Sequence, residues 1–467
     1  MSDAGFVLDP SYRRPGNGAV VVAGSPLRLF RLGVAGVRIV EAIERGTTLP
    51  DGHERLTARL LDAGAIHPVP TAAPIDPADL TVVVPAFGAP PRWSPGRCRT
   101  IVVDDASALP IELPIELPID WHAPGPAHHI IRLDRNGGPG AARNAGLAEV
   151  TTTYVAFVDS DVDVDESTLL ALAGQLAAWD VALLAPRVLS STDANRSLLA
   201  AYERGHSPLD LGPLPGRVAA TTRISYVPAA TIVCRTDAVR AVGGFDESLR
   251  FGEDVDLVWR LHERGERCRY EPSFTVGHQT RPGWRAWLAQ RFHYGTSAAP
   301  LAMRHRGALA PVRMSGWSAG TWGLVAAGHP LAGASMGVGT TLALVRKLRD
   351  VPSRESVRLA GLGHLYAGRL LAATIVRAWW PITVALALVS RRARLVLVAS
   401  VAVSVATEAP AHRGRLDPVR AGLLRLADDA GYGAGVWAGM WRARSLDAIA
   451  PSLRSWPGRA DASSRPT

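Results

Sequence analysis

Three aspartates alternate along Asp159-Ser160-Asp161-Val162-Asp163, directly after the short apolar run of residues 154–158. In extended backbone, side chains repeat every second residue, so we expect Asp159, Asp161 and Asp163 to project on one side of a strand end. Carboxylate oxygens suit a hard divalent cation such as Mg²⁺ or Mn²⁺. The stretch therefore predicts a metal site that could also hold a phosphate.

The same stretch allows other interpretations. A Ca²⁺ loop beginning at Asp159 would need Gly at its sixth position and Glu at its twelfth, which here hold Val164 and Leu170, so that loop is excluded. A phosphatase with an aspartate nucleophile fits locally, but such enzymes open their domain with this strand, whereas a long α/β pattern precedes it here. From this motif alone, a solvated acidic turn before the helix predicted at residues 168–179 stays open.

Further acids follow the strands that must position this site. Residues 81–84 and 99–103 read as buried strands, the first ended by Pro85 and the second by Asp104 and Asp105. Ligands of open α/β sheets bind beyond the carboxyl ends of the strands, so these endings and the aspartate stretch predict one crevice. The glycine-rich turn at residues 136–140 could either present backbone amides to a phosphate or merely end a strand.

Composition sets the outer limits. With 467 residues and 47% hydrophobic content, the chain can form two or three domains with at least one substantial core. The net charge of +9 is uneven, because residues 301–467 hold 22 Lys or Arg against 8 Asp or Glu (+14), leaving −5 for residues 1–300. The three cysteines form no CxxC pair and indicate a reducing compartment, while the N-terminus lacks a secretory signal pattern.

The N-terminal part, residues 1–75, reads as a small separate domain. Two short strands at residues 20–22 and 27–29 precede helical patterns at 36–45 and 53–63, which predicts a winged-helix-like unit. No helix there is rich in Arg, Asn and Gln, so we expect no nucleic-acid partner. The segment resembles the small peptide-chaperone (PqqD-like) domains that attend ribosomally made, modified peptides. Residues 66–77 read as a Pro/Ala-rich linker.

The C-terminal part, residues 301–455, predicts a helical, membrane-associated region. Residues 314–345 carry no charge, and basic residues lie on both sides. The apolar runs 378–390 and 395–407 are each shorter than the roughly 20 residues that cross a bilayer. Interfacial or hairpin helices on an anionic, cytoplasmic membrane face are therefore favoured over clean spans, with a buried soluble helical domain as the alternative. Residues 456–467 are expected to be a disordered tail.

Several motifs, taken in order, resemble one family. Residues 84–87 (VPAF), 103–107 (VDDAS), 142–146 (ARNAG), 157–161 (FVDSD), 242–247 (VGGFDE) and 252–257 (GEDVDL), closing with Arg260, are similar to the successive motifs of the family 2 glycosyltransferases. Each motif alone is common, but six in the right order over residues 80–290 are not. The resemblance implies an α/β fold with an A-type (Rossmann-like) glycosyltransferase domain at residues 78–300.

The same resemblance implies roles on the donor side. Asp104 or Asp105 would hydrogen-bond the uracil and ribose of a nucleotide sugar, and Pro85 would shape the wall beside the base. Arg143 and Asp159 would complete the donor site. Asp161 would bind the divalent metal, Mg²⁺ or Mn²⁺, that neutralises the leaving diphosphate. His278 resembles the histidine that completes the metal shell in some relatives, although a satisfied loop histidine fits it nearly as well.

On the acceptor side, Asp254 is the implied general base. It lies at the start of a helix predicted at residues 253–264, whose dipole we expect to keep the carboxylate ionised. Any helix favours acids in its first turn, which is the structural alternative. Glu253 and Gly244 belong to the acceptor-side motifs, with Glu253 positioning the acceptor. The Gln-x-x-Arg-Trp signature of processive synthases is replaced by the sequence QRFHY at residues 290–294, which argues against long-chain synthesis.

The domain combination resembles the mycofactocin biosynthesis glycosyltransferases over nearly the whole chain. That resemblance implies an inverting transfer of glucose from UDP-glucose to a peptide-derived redox cofactor precursor, at the cytoplasmic face of the membrane. Two alternatives remain at this point. One is a cell-envelope glycosyltransferase acting on a lipid or polysaccharide, which the apolar tail would suit, and the other is a catalytically idle module that binds a peptide through its first domain.

Overall fold

The structure, a computed structural model, describes residues 5–71, 75–112, 128–191, 197–279, 283–408 and 416–454. The described chain divides into two compact units. The first contains the N-terminal segment without residues 15–20, and the α/β domain up to residue 279 without residues 197–205. The second contains the helices from residue 283 onward together with residues 15–20 and 197–205. The predicted tail at residues 456–467 lies outside the described residues.

Short strands and two helices make up the N-terminal segment. They are β1 (Phe6–Leu8), β2 (Val20–Ala23), β3 (Arg28–Arg31), α1 (Val34–Arg45), α2 (Glu54–Ala63) and β4 (Ile66–Pro68). The apolar stripes of α1 and α2 cover β2 and β3, and Ile39, Ile43 and Leu60 form part of the core there. The predicted strands and helices of this segment are confirmed. The predicted linker is wrong at its start, because β4 pairs antiparallel with β1 and is buried.

The α/β domain alternates strands and helices. The elements of this part of the chain are, in order, β5 (Leu80–Ala86), β6 (Arg99–Asp104), β7 (His129–Arg132), α3 (Pro139–Glu149), β8 (Tyr154–Val158), β9 (Val162–Asp163), α4 (Glu166–Trp179), β10 (Leu183–Ser190), α5 (Leu198–His206), β11 (Gly216–Arg217), β12 (Thr231–Arg235), α6 (Thr236–Ala241), α7 (Glu253–Glu263) and β13 (Cys268–His278). Of these, α5 belongs to the second unit.

One mixed sheet carries this domain. Its strand order is β11-β13-β10-β12-β8-β5-β6-β7, and β9 pairs with β13. Strands β8, β5, β6 and β7 are parallel, whereas β12 runs antiparallel to both of its neighbours. The strands are Val- and Ile-rich and nearly all of β5 and β6 is buried, as a sheet covered on both faces requires. The predicted α/β class with a central sheet is thereby confirmed, and β5, β6 and β8 end at one edge.

The second unit is helical. After α5 it contains α8 (Trp284–Thr296), α9 (Ala298–Arg304), β14 (Arg313–Ser315), α10 (Gly316–Ala326), α11 (Pro330–Lys347), α12 (Ser353–Arg377), α13 (Trp380–Val389), α14 (Arg391–Glu408), α15 (Pro418–Ala443) and β15 (Ser452–Arg454). A buried ion cluster joins α5, α8 and α15, in which Arg291 pairs with Glu203 and Asp428. The predicted helical C-terminal region is confirmed.

The apolar segments of this region do not follow the predicted lengths. The charge-free run at residues 314–345 divides into α10 and α11, where Gly328 takes a positive φ of 87° and Pro330 begins the next helix. Within the described residues, one helix is long and apolar enough to cross a membrane, namely α12, which the sequence analysis did not single out. Only 28% of its most apolar window is buried inside the structure.

Candidate active site

The aspartate stretch contains a turn. Strand β8 ends at Val158, and the N–H of Val162 then donates to the carbonyl oxygen of Asp159 (3.1 Å) before β9 begins. Because the backbone is not extended between β8 and β9, the two-residue alternation of side chains is interrupted. The expectation that the three carboxylates project on one side is therefore wrong. Each carboxylate has its own basic neighbour: Arg143 for Asp159, His278 for Asp161, and Arg92 for Asp163.

The two residues predicted to bind a metal lie together. The Oδ2 atom of Asp161 is 3.3 Å from Nε2 of His278, although 117 positions separate them in the chain. The antiparallel pairing of β9 with β13, with His278 opposite Val162, brings them into register. Both remain accessible, with side-chain exposures of 44% for Asp161 and 13% for His278. The arrangement places one hard oxygen and one imidazole nitrogen at an open position.

This pair fits a divalent cation only as a partial shell. Among the described residues, no group of three or more His, Cys, Asp or Glu side chains is close enough to hold a metal by itself. Mg²⁺ and Mn²⁺ in phosphate-handling sites take few protein ligands and complete their shells with phosphate oxygens and water. Two protein ligands at an accessible strand end are compatible with that mode of binding, and not with a closed structural site.

Both carboxylates at the end of β6 are buried and hydrogen-bonded. Asp104 accepts from the backbone N–H of Ser107 (2.9 Å) and from the guanidinium of Arg132 (2.5 Å). Burial alone would raise its pKa, but the hydrogen bonds and the charge of Arg132 outweigh burial and hold the pKa below its ordinary value. Asp104 is therefore an ionised structural anchor of this loop in addition to its predicted role.

Asp105 accepts from the glycine-rich turn. The backbone N–H groups of Gly137 and Gly138 donate to its two carboxylate oxygens at 2.7 and 2.8 Å. These amides are the ones considered for a phosphate, and the structure uses them instead to bind a neighbouring carboxylate. Gly138 has a φ of 87°, which a residue with a side chain rarely adopts, so the glycine is required by the turn itself.

Arg143 connects the predicted donor side to the predicted acceptor side. Its side chain, on α3, is 3% exposed and donates to Oδ1 of Asp159 (2.6 Å) and to Oε1 of Glu253 (2.8 Å). The guanidinium also lies 5.2 Å from the ring centroid of Phe245. Burial alone would lower the pKa of Arg143, but the two carboxylates raise it above its ordinary value, so the cation is permanent. Arg143, Asp159 and Glu253 thus form one ion network, in which Arg143 and Glu253 are buried.

The side chain of the neighbouring Asn144 binds the loop that contains Gly243 and Gly244. Its side-chain oxygen accepts from the N–H of Phe245 (2.8 Å), and its amide nitrogen donates to the carbonyl of the same residue (2.8 Å). Gly244 has a φ of 70°, and a Cβ there would lie 2.5 Å from that Asn144 oxygen. Asn144 has no predicted role of its own, although it stands beside Arg143 in the same motif. A side chain at position 244 is excluded by sterics and by φ.

Asp254 lies at the first turn of α7, as predicted. Its carboxylate accepts from the N–H of Val255 (2.8 Å) and from the N–H of Ala229 (3.3 Å). The pKa of Asp254 is raised to about 7, because surrounding protein displaces water and because Glu253 is a negative neighbour, with Arg143 opposing. Burial and Glu253 therefore oppose the predicted effect of the helix dipole, which was to keep this carboxylate ionised. The side chain is only partly buried, so a bound molecule can still reach it.

Two basic residues of the site had no clear sequence signal. Arg132 stands at the end of β7, and Arg92 lies between β5 and β6, where its N–H also donates to the carbonyl of Ser160 (2.9 Å). Arg132 could have been inferred, since parallel neighbouring strands end at one edge. Arg260, part of a recognised motif, pairs with buried Asp256 (2.7 Å) and donates to the carbonyls of Val242 and Gly244. Arg260 therefore anchors the loop that contains Gly243 and Gly244 to α7.

The comparisons with known sequences agree with each other. The family described as glycosyl transferase family 2 matches residues 92–218. A protein named pre-mycofactocin glycosyltransferase, from two strains of Mycobacterium tuberculosis, is 38% identical over 465 residues, covering 96% of this chain and 97% of the relative. The succinoglycan biosynthesis protein ExoO of Rhizobium meliloti is 29% identical over 187 residues, or 39% of this chain and 52% of that protein.

Solved structures also align with this chain. The mannosyltransferase PcManGT from Pyrobaculum calidifontis, in complex with GDP-Man and Mn²⁺, is 16% identical and covers 83% of this chain and 93% of its own, with a TM-score of 0.42. A part of S. aureus TarS in complex with UDP-GlcNAc is 18% identical over 48% of this chain and 66% of its own, with a TM-score of 0.36.

Proposed function

Because this chain belongs to family 2 of the glycosyltransferases, in the group of the pre-mycofactocin glycosyltransferase, we propose that it transfers glucose from UDP-glucose to a peptide-derived precursor of a redox cofactor. The observation that carries the proposal is the 38% identity over 96% of the chain, together with an aspartate of suitable pKa at the predicted base position. The transfer would proceed with inversion, since a single base on one face of the sugar is sufficient for an in-line attack.

Asp254 supplies the base in this proposal. Its carboxylate takes the proton of the acceptor hydroxyl as that oxygen attacks the anomeric carbon, while the bond to the diphosphate breaks. A pKa of about 7 suits this work, because such a base is substantially deprotonated at neutral pH and still accepts a proton readily. Arg143 acts as a positioning residue, since it pairs with Glu253, the neighbour of the base, and with Asp159 on the donor side.

The donor site in this proposal lies at the ends of β5, β6 and β8. Pro85, Asp104 and Asp105 shape the pocket for the base and ribose, and Asp161 and His278 would hold a divalent cation. When bound, the cation would neutralise the negative charge that develops on the leaving diphosphate. The accessibility of Asp161 and its 3.3 Å separation from His278 support this assignment.

Membrane association is a second element of the proposal. Large apolar side chains on α12, α13 and α14 are exposed, with Leu365 65%, Leu388 78%, Val389 84% and Val398 66% accessible. Arg391 and Arg392 begin α14 close to the most exposed of them. Exposed apolar side chains beside arginines favour an anionic membrane surface. We propose that this face of the second unit rests on the cytoplasmic face of the membrane, without requiring a span.

Product identification tests the proposed function. Purified protein, Mn²⁺ and UDP-[¹⁴C]glucose would be incubated with small-molecule and lipid extracts of a strain that lacks the gene. We expect label in a small, peptide-derived product that mass spectrometry finds one hexose heavier than its precursor. Label only in lipid or polysaccharide would contradict the proposed acceptor and support an envelope transferase. Incorporation from other UDP-sugars with equal efficiency would contradict the proposed donor.

A further inference from the structure

The guanidinium of Arg143 is bound by carboxylates at two of its nitrogen atoms. Nη1 donates to Glu253 (2.8 Å) and Nη2 donates to Asp159 (2.6 Å). The remaining nitrogen, Nε, is buried and has no hydrogen-bond partner in the described part of the chain. The two ion pairs therefore fix the distances to the carboxylates, but they do not prevent the guanidinium plane from rotating about the line between Nη1 and Nη2.

The ring of Phe245 packs against this guanidinium. Its centroid lies 5.2 Å from the central carbon atom of the guanidinium, close enough for a cation–π contact. The same ring meets the ring of Phe157 edge to face, with the centroids 5.0 Å apart and the ring planes at 85°. Phe245 is 2% exposed and Phe157 is fully buried, so the Phe245 ring has little freedom to move. A confined ring at this position restricts the rotation that the ion pairs allow.

The backbone of Phe245 is in turn held by the side-chain amide of Asn144. The amide oxygen accepts from the N–H of Phe245 (2.8 Å), and the amide nitrogen donates to its carbonyl oxygen (2.8 Å). A carboxylate of the same shape could accept but not donate, and an apolar side chain could do neither. Asn144 and Arg143 are neighbours on α3, so one helix carries the guanidinium and also the group that fixes the ring packed against it.

The loop before Phe245 has a separate support from α7. The guanidinium of Arg260 donates to the carbonyl oxygen atoms of Val242 and Gly244. Both acceptors precede Phe245, and these hydrogen bonds do not involve Asn144. We therefore expect the loop to stay attached to α7 when Asn144 is replaced, while the backbone of Phe245 loses its direct restraint.

We propose that Phe245 is a positioning residue of glycosyl transfer, which acts by holding the guanidinium of Arg143 against Glu253. Asn144 acts one step further away, by holding the backbone of Phe245. In this role neither side chain needs to touch a substrate. The inference rests on the proposed function, because that function assigns Asp254, the neighbour of Glu253, as the base.

The position of the guanidinium matters because its charge acts on the base. The pKa of Asp254 is raised by burial and by the negative charge of Glu253, and it is lowered by the positive charge of Arg143. The backbone N–H groups of Val255 and Ala229, which donate to the carboxylate, lower this pKa further. A guanidinium that rotates or becomes hydrated acts more weakly on a neighbouring carboxylate, because water screens its charge. Loosening Arg143 should therefore raise the pKa of Asp254.

Titration of Asp254 in the full chain tests the proposal without a substrate. The carboxyl groups of aspartate would be labelled with ¹³C, and the NMR signal of Asp254 would be assigned by its absence from Asp254→Asn. We expect the pKa of Asp254 in Phe245→Leu to lie above the wild-type value, because Leu keeps an apolar side chain but removes the ring and admits water to Arg143. Glycosyl transfer at pH 7 should fall by about tenfold, since small displacements of catalytic groups have large effects on rate.

A second variant tests the link through Asn144. Asn144→Ala should also raise the pKa of Asp254. Because Asn144 is proposed to act through Phe245, the double variant Asn144→Ala/Phe245→Leu should show a shift no larger than that of Phe245→Leu alone. Leu176→Ala is the control for a general loss of stability, because it removes buried apolar volume from α4 in the core of the same domain. In this control the pKa of Asp254 should equal the wild-type value.

The outcomes separate this proposal from the proposed function. An unchanged pKa of Asp254 in folded Phe245→Leu, an equal shift in Leu176→Ala, or full addition of the two shifts in the double variant would each overturn the proposal. If Phe245→Leu does not fold, the pKa of Asp254 in Asn144→Ala decides. The titration needs no turnover. Absence of glucosyl transfer by the wild-type protein would therefore contradict the proposed function, whereas an unmoved pKa would contradict the positioning role alone.

Discussion

The Nη1 atom of Arg143 lies 2.8 Å from Oε1 of Glu253, and this buried contact joins two helices through residues that are 110 positions apart. The other terminal nitrogen of the same guanidinium binds Asp159, at the end of β8. One side chain therefore connects the donor side of the crevice to the residue that precedes the predicted base. The cation also lowers the pKa of Asp254, in opposition to burial and to Glu253. The pKa of Asp254 thus depends on Arg143.

The first prediction concerns pH. In the proposed mechanism, transfer requires the deprotonated form of Asp254, whose pKa is raised to about 7 in the folded protein. Activity should therefore be low at pH 5, rise with pH, and reach half of its maximum near pH 7. The measurement is kcat/KM for glucosyl transfer between pH 5 and 9 at saturating metal. An activity that is already maximal at pH 5 would show that the group whose deprotonation is required does not have a pKa near 7.

The second prediction concerns Arg143→Met. Loss of the cation removes the charge that lowers the pKa of Asp254, so the inflection of the pH profile should move to higher pH. The variant also leaves Glu253 and Asp159 without their partner, so we expect reduced thermal stability. Arg264→Met is the control, because Arg264 is exposed at the far end of α7. An unchanged inflection of the pH profile in a folded Arg143→Met protein would show that Arg143 does not affect the pKa of the titrating group.

The third prediction concerns Asp254→Asn. The amide keeps the shape and can still hydrogen-bond a hydroxyl, but it cannot accept the proton. We expect turnover to fall by about 10²–10⁴-fold while affinity for UDP-glucose is retained. The control is Asp237→Asn, since the Asp237 side chain is 79% exposed. Turnover near the wild-type rate, or an α-linked product from the α-linked donor, would contradict both the assigned base and inversion.

The fourth prediction concerns the metal pair. Asp161→Ala removes one carboxylate from the proposed cation site and should abolish the Mn²⁺-dependent part of UDP affinity, with the fold intact because a strand-end acid adds little to the core. His278→Ala should weaken the same affinity. Asp163→Asn is the matched control within the same stretch, because Asp163 pairs with Arg92. Calorimetry with and without Mn²⁺ measures this, and identical UDP affinity for Asp161→Ala would refute the assignment.

The fifth prediction concerns the membrane. A charge at Leu388, which is 78% exposed at the end of α13, should oppose insertion of this face into a bilayer. We expect Leu388→Glu to sediment less with vesicles containing anionic lipid than the wild-type protein does. Leu109→Glu provides the comparison, because Leu109 is 82% exposed but belongs to the α/β domain. Equal loss of sedimentation in both variants would indicate a general charge effect and no specific face.

The pattern of apolar residues along the sequence was sufficient to predict the main strands and helices. Buried strands such as β5 and β6 are continuous apolar runs ended by Pro, Gly or Asp, and these local signals do not depend on distant residues. The same holds for α7, which begins at Glu253 as predicted. Where the linker prediction failed, a distant partner decided. The supposed linker at Ile66 is a strand because β1 pairs with it, and no local pattern in residues 66–68 reports that pairing.

Residue identity along the chain determined which groups are available for chemistry: the aspartates at 159, 161 and 254, and the histidine at 278. Only the tertiary structure decided how they act together. The pairing of β9 with β13 sets His278 beside Asp161, and the turn after Val158 sends Asp159 to Arg143. The pKa of Asp254 depends on how much water its neighbours displace and on charges brought from other elements. Desolvation and long-range charge are properties of three-dimensional packing, so a linear sequence does not report them.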